Sequence, residues 1–358
     1  MYPEPGEKLI HEEEDFDFLD VLDGASSQLA SDGRDYVYAL LSHPSATLSD
    51  GELIVEPDYT KTKQHVFKDV ALRLIEETKS LRILAVVSPN KDHLSNDGFP
   101  TWLPQWDGLR ENCPGSFKCR LTSNLSFAAP GYDPPLYWYI SAGKTDLHVR
   151  GYVVDVIDEV TITIRIPEHS LKRPNDRPFY EIENWPLPAA PAFRSRQNSD
   201  LKSRLSEICC TLLANGRRKP LEREYYDFCR FRHHILSCAS VFDGKTPRHP
   251  IAPEGFGELC ASASLAKQLH FIPEIVLANC NNRKLFSTKA GRLGLGSHLV
   301  ESGDLCCVVH GCSVPLILRR DRHGYRMLGA AYVQGFIIGE SGPDDGSEAF
   351  QEQEFVLF

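Results

Sequence analysis

The chain has 358 residues, 42% of them apolar and 25% charged, with a formal net charge of −10. That is ordinary soluble globular composition, with length for two domains of ~150 residues each and a real core. The acidic balance argues against a nucleic-acid or anionic-membrane partner, either of which needs a concentrated basic surface, and the clusters Arg217-Arg218-Lys219 and Arg319-Arg320-Arg322 are too short to supply one.

In chain order, the N-terminus opens on Met1-Tyr2-Pro3-Glu4-Pro5 and Glu12-Glu13-Glu14-Asp15, with neither the basic nor the apolar region of a secretory signal. The expected compartment is reducing and cytoplasmic. Phe16, Leu19, Leu22 and Leu29 then space one helix, and Arg34 to Leu41 a second with Val37, Leu40 and Leu41 on one face. Thr62 is a candidate N-cap for the strongest helical pattern in the chain, Val66, Phe67, Val70, Ala71, Leu74 and Ile75. Leu81 to Val87 reads as a buried strand or a last helical turn. Pro100-Thr101-Trp102-Leu103-Pro104-Gln105-Trp106 follows, where two proline-flanked tryptophans can either close a core or stack a ligand.

Beyond Trp106 the chain turns extended. Leu147 to Ile157 and Val160 to Ile166 predict two strands around a turn at Asp158-Glu159. Prolines 167, 174, 178, 186, 188 and 191 mark a loop over 167–191. Leu201, Leu205, Ile208, Leu212 and Leu213, between Ser199 and Gly216, predict a further helix, and Tyr225 to Ala239 and Glu254 to Leu269 read similarly. A β-meander closes the chain: Leu305 to Val309, Val314 to Leu318, Tyr325 to Leu328 and Ala331 to Ile338, punctuated at Ser302-Gly303-Asp304 and Asp321-Arg322-His323-Gly324. The longest nearly apolar run, Leu305 to Leu318, includes His310 and Pro315 and falls short of the ~20 residues of a membrane helix. The acidic tail after Gly342 reads as frayed.

Motifs that carry chemistry mostly fail on spacing. Gly143-Lys144-Thr145 and Gly244-Lys245-Thr246 end like phosphate loops, but Trp138 and Ala239 stand where the loop needs its first glycine. Gly291-Arg292-Leu293-Gly294-Leu295-Gly296 reverses the dinucleotide spacing and is better explained by turns and close strand approach. His233-His234 beside Arg230 and Arg232 reads as a solvated helix face. The eleven cysteines contain no C-x-x-C and read as buried free thiols. Cys306, Cys307, His310 and Cys312 form no metal set: on a strand Cys307 points away from the other three, and Cys306 and His310 lie ~13 Å apart. No cofactor is expected.

The order Asp32-Gly33-Arg34-Asp35-Tyr36-Val37-Tyr38-Ala39-Leu40-Leu41, Pro57-Asp58-Tyr59-Thr60-Lys61, Val66-Phe67-Lys68-Asp69-Val70-Ala71 and Pro100 to Trp106 resembles the region that follows the incompatibility domain in fungal heterokaryon-incompatibility (HET-domain) proteins. Gly291 to Gly296, Gly303-Asp304, Val314-Pro315-Leu316 and Gly324-Tyr325-Arg326 look like the same family's C-terminal region. The motifs of that family's N-terminal, nucleotide-hydrolysing-type domain have no counterpart in this sequence, so its activity does not transfer. The resemblance implies an accessory region acting in self/non-self recognition or regulated cell death.

The expectation is therefore an α+β protein: a helical segment over 1–110, then a β-rich domain over 111–358, an antiparallel sheet or small barrel with the Pro-rich loop and a helical insertion over about 199–270. The expected function is non-enzymatic, an interaction or regulatory protein with a protein partner. The alternative is a small-molecule binder or enzyme recruited to a fungal secondary-metabolite pathway, and a third reading is a product that keeps fold without function. Trp102, Trp106, Trp138 and Tyr139 are the candidate binding surface or pocket wall for a protein or small-molecule ligand.

Overall fold

The computed structural model describes residues 17–26, 28–95, 99–107, 136–142, 145–161, 163–164, 201–214, 279–334 and 350–358. The Pro-rich loop, the helical patterns at Tyr225 to Ala239 and Glu254 to Leu269, His233-His234 and Gly244-Lys245-Thr246 lie outside these residues, as do Gly143 and Lys144. The architecture is α+β, a helical N-terminal segment packed on a large mixed sheet.

Helix α1 (Phe18–Ala25) starts where Asp17 and Asp20 exchange side-chain and backbone hydrogen bonds, a reciprocal cap that satisfies two otherwise orphaned N–H groups. It buries Phe18, Leu19 and Leu22, while Leu29, beyond its end, is exposed and belongs to no helical face. The second pattern yields only one turn, α2 (Asp35–Tyr38), followed by a short 3-10 turn at Pro44–Ala46. Pro44 disfavours a helical conformation in the residue before it, and His43 is extended. Helix α3 (Lys63–Thr78) is capped by the Thr62 hydroxyl and buries Val66, Phe67, Val70, Ala71, Leu74 and Ile75, as its spacing predicts. Burial of each of its larger apolar side chains stabilises by about 2 kcal/mol. Leu81 to Val87 is neither strand nor α-helix: Arg82–Val86 forms a 3-10 helix, followed by α4 (Lys91–Ser95). Helix α5 (Leu201–Leu213) completes the described helices.

The sheet is hung on one long strand. Strands β1 (Trp138–Ile140) and β2 (Leu147–Val160) form a hairpin. They are followed by β3 (Arg283–Thr288), β4 (Leu293–Ser297), β5 (Leu305–Val309), β6 (Leu316–Asp321), β7 (Gly324–Ala330), β8 (Tyr332–Val333) and β9 (Glu352–Leu357). Gly151 and Tyr152 pair with both β9 and β5, which therefore flank β2 on opposite edges. From β5 the meander runs through β6 to β7, and β7 meets β9 in a parallel pairing at Tyr325 and Leu357. Strands β2, β5, β6, β7 and β9 thus close a ring, a small barrel, while β3, β4 and β8 extend from the far end of β2. So few strands close only if they bend sharply. Register shifts at Val153/Asp155 and Ile317/Leu318 supply the bends.

Four sequence expectations change here. No turn occurs at Asp158-Glu159: β2 runs straight through to Val160, because a two-residue hairpin turn needs positive-φ residues such as Asn-Gly and an Asp-Glu pair supplies neither. An irregularity in register absorbs the local mismatch instead. The acidic tail is not frayed at its end. In β9, Phe355 and Leu357 are fully buried while Glu352 and Glu354 face outward, so the acids are the solvent half of an alternating strand. The run expected over Ala331 to Ile338 is described only as far as Gln334, and β8 leaves the meander to pair with β4. Finally, of the turns and close strand approach expected over Gly291 to Gly296, Gly294 and Gly296 show the approach alone: both lie within β4, where a Cβ on Gly294 would sit 2.2 Å from the Phe286 ring.

One apolar core joins the helical segment to the sheet, running from Phe18, Phe67 and Trp102 to Val149, Leu316 and Phe355. The polar ties between the two follow the same seam. Leu81 N–H donates to the Gly311 carbonyl at 2.7 Å, and the Met327 N–H to the Thr101 hydroxyl at 2.9 Å, while Arg326 donates to the Leu94 carbonyl. A smaller cluster of Ile157, Phe286, Leu299, Val300, Cys306, Ile317 and Leu328 lies on the other face of β5 to β7. The turn into β5 uses Gly303 at φ 92°, a conformation that side-chain-bearing residues rarely adopt.

Candidate functional site

The four aromatic candidates take three different environments. Trp102 and Trp106 are fully buried. The Trp102 indole N–H donates to the Thr145 carbonyl at 2.9 Å, fastening the segment beneath the β1–β2 hairpin. Trp106 packs edge-on against Phe67 at 5.1 Å, and its indole nitrogen has no hydrogen-bond partner among the described residues. Trp138 is half-buried against the main core. Tyr139, its neighbour on the strand, points the other way and is 41% exposed. Of the four, Tyr139 alone joins the outward face of the barrel.

That face is built by strand alternation. In β2, Leu147 and Val149 point into the core, which turns His148, Arg150 and Tyr152 outward. The pairing register sets Val356, Glu354 and Glu352 of β9 beside them in turn, and Tyr139 of β1 beside His148 on the opposite edge. The Tyr139 ring stacks on His148 at 4.1 Å with 15° between the planes, and its hydroxyl lies 3.0 Å from Glu354 Oε1. Arg150 lies over the Tyr137 ring at 4.1 Å, a cation–π contact. Further along, the His310 Nε2 lies 2.7 Å from Glu352 Oε1 and its ring meets Tyr152 edge-on at 5.2 Å.

At the centre of this face is a linear hydrogen-bonded chain. His148 Nδ1 lies 2.5 Å from Glu354 Oε1, and His148 Nε2 lies 2.6 Å from the Ser141 hydroxyl. The carboxylate can only accept, so the proton between the first pair sits on Nδ1, and in the neutral ring Nε2 is then the nitrogen that can accept from the Ser141 hydroxyl. The His148 bond, followed by Tyr139's and reinforced by the Arg150 charge, holds the Glu354 carboxyl below the usual range. It therefore stays ionised at neutral pH. Ser141 is fixed by its own backbone, its N–H donating to the Asp146 carbonyl at 3.2 Å across the hairpin.

Sequence reasoning missed Ser141, His148 and Glu354. The outward alternation of His148, Arg150 and Tyr152 was legible as the polar half of a strand. Glu354 was not, because it reaches His148 across 206 residues of chain. The cysteine cluster behaves as a set of core side chains. Cys306 faces the smaller cluster, whereas Cys307 and Cys312 face the main one, since β5 ends at Val309 and alternation no longer governs Cys312. Burial pushes the Cys312 thiol up to about 12 and raises those of Cys280, Cys306 and Cys307 as well. Among the described residues no helix is long and apolar enough to cross a membrane.

Residues 261–351 match the Het-6 beta-barrel domain family. The chain is 23% identical, over 372 aligned residues, to heterokaryon incompatibility protein 6, OR allele, of Neurospora crassa, with 95% of this chain and 52% of that protein covered. It thus spans about half the length of that curated relative. No solved structure matches. The matched segment holds β3 to β8, while β2 and β9, which close the ring and carry the outward face, lie outside it. The C-terminal part of this chain is thereby similar to the Het-6 beta-barrel domain, and the chain as a whole to a fungal heterokaryon-incompatibility protein.

Proposed function

We propose that the chain is an interaction module of heterokaryon incompatibility, acting in the cytoplasm in self/non-self recognition that leads to regulated cell death, and that it binds a protein partner through the outward face of β1, β2 and β9. The observation that carries this reading is the composition of that face. Tyr137, Tyr139, His148, Arg150, Tyr152 and Glu354 stand together on a rigid barrel wall, with Tyr139 exposed and Arg150 held over Tyr137. Tyrosine and arginine are, with tryptophan, the residues enriched among energetic anchors of protein interfaces. The buried thiols accord with a reducing compartment.

The test is functional. The chain is expressed in a filamentous fungus beside a full-length heterokaryon-incompatibility protein of the kind it resembles, and hyphal death is scored with a vital dye. The double variant Tyr139→Ala, Arg150→Ala should lose co-elution with the partner, by about 10²-fold in affinity if both residues are anchors, and should abolish the death response. The same response from a double variant with an unchanged melting temperature would overturn the assignment of this face.

A further inference from the structure

We propose that Ser141 is a nucleophile, activated by His148 and oriented through Glu354, that takes the acyl group of an ester presented at the outward face. The inference goes beyond partner binding and does not depend on it. Three separate side chains converge in the order such chemistry requires, and the two contacts use different ring nitrogens. Glu354 accepts from Nδ1 at 2.5 Å, and Nε2 is left 2.6 Å from the Ser141 oxygen. The stacked Tyr139 ring fixes the imidazole plane, and only 14% of the His148 side chain is exposed, so little water competes for Nε2. A hydroxyl within hydrogen-bond reach of an imidazole whose far nitrogen is held by a carboxylate is the arrangement in which a weak nucleophile is activated.

The step balances as follows. Ser141 Oγ attacks the ester carbonyl carbon while its proton passes to His148 Nε2. The bond from that carbon to the alcohol oxygen then breaks, and the departing alcohol carries the proton from Nε2, leaving an acyl-serine. Water repeats the sequence, giving its proton to Nε2 and releasing the carboxylic acid and free Ser141. The exposed Tyr139 ring beside the site offers a flat surface for an apolar or aromatic acyl group. Glu354 touches no reacting atom and is a positioning residue.

The experiment treats the full chain with a fluorophosphonate probe, in which the serine oxygen displaces fluoride, and maps the adduct by peptide mass spectrometry. The adduct is expected on Ser141, absent in Ser141→Ala, and formed about 10²-fold more slowly in His148→Gln. Glu354→Gln should lose most of the labelling, while Glu354→Asp, which keeps a carboxylate, should recover part of it. A merely structural carboxylate would not produce that difference. Ser141→Cys gives a second readout that does not depend on phosphonylation: the introduced thiol should alkylate with iodoacetamide at pH 6, and the added change His148→Gln should suppress this about tenfold or more. No adduct at Ser141 in the parent chain, or equal rates with and without His148, would overturn the proposal.

Discussion

His93 is buried between the Phe99 ring, edge-on at 4.8 Å, and the Pro100 carbonyl, 3.2 Å from its Nε2. Burial lowers its pKa from 6.5 to about 4, so the folded protein holds this ring neutral. The unfolded chain takes up the proton below about 6.5, the folded one only below about 4, and between these values the unfolded state binds more protons. Stability therefore falls as pH falls through this window, by about 2 kcal/mol at pH 5 from this group alone. The melting temperature should drop between pH 7 and pH 5, and His93→Gln, though less stable at pH 7, should show a flatter dependence. Parallel curves for the two proteins would refute the assignment. Nothing in the sequence around His93 announced this burial, since the one-turn helix α4 carries it and Phe99 and Pro100 close over it. Trp102 and Trp106 were legible as large rings held by proline, but whether they faced core or solvent was decided by Phe67 and Thr145, which sequence spacing does not relate to them.

Elements were readable where local chemistry specified them alone. Helix α3 follows from Thr62 and a 3.6-residue apolar period, and the turn at Gly303 from a residue able to take positive φ. Strand β2 was divided in error because Asp158-Glu159 interrupts the apolar run. What sustains the strand there is its neighbours, Ile157 bonding to Gly303 and Asp304 on one edge while the Val156 carbonyl accepts from Lys289 on the other. The crossing of β2 and β5 depends on Gly151, where a Cβ would lie 2.1 Å from the Val308 carbonyl oxygen. Because backbone cannot move aside as a flexible side chain does, Gly151→Ala should cost about 3 kcal/mol. Gly24→Ala in α1, with nothing within 4 Å of the new methyl, should be neutral or stabilise by up to ~1 kcal/mol. Urea midpoints that do not separate these two variants would contradict the close approach.

At the scale of the whole molecule, the sequence revealed the meander and its α+β setting, but not that the ring closes or which face results. Closure depends on β9 entering between β2 and β7, and the interactions of Glu354 with His148 and Tyr139 span more than 200 residues, so no short-range period reports them. The outward face, with its proposed partner surface and nucleophile, exists only if that strand is seated. Hydrogen exchange of the segment 350–358 in the full chain tests this directly. Backbone N–H groups within β9 that bond to β2 should exchange at least ~10²-fold more slowly than unstructured chain, together with Leu147 to Tyr152. Complete exchange of 352–357 at the earliest time point, with β5 to β7 still protected, would contradict the closed barrel and remove the basis of the site.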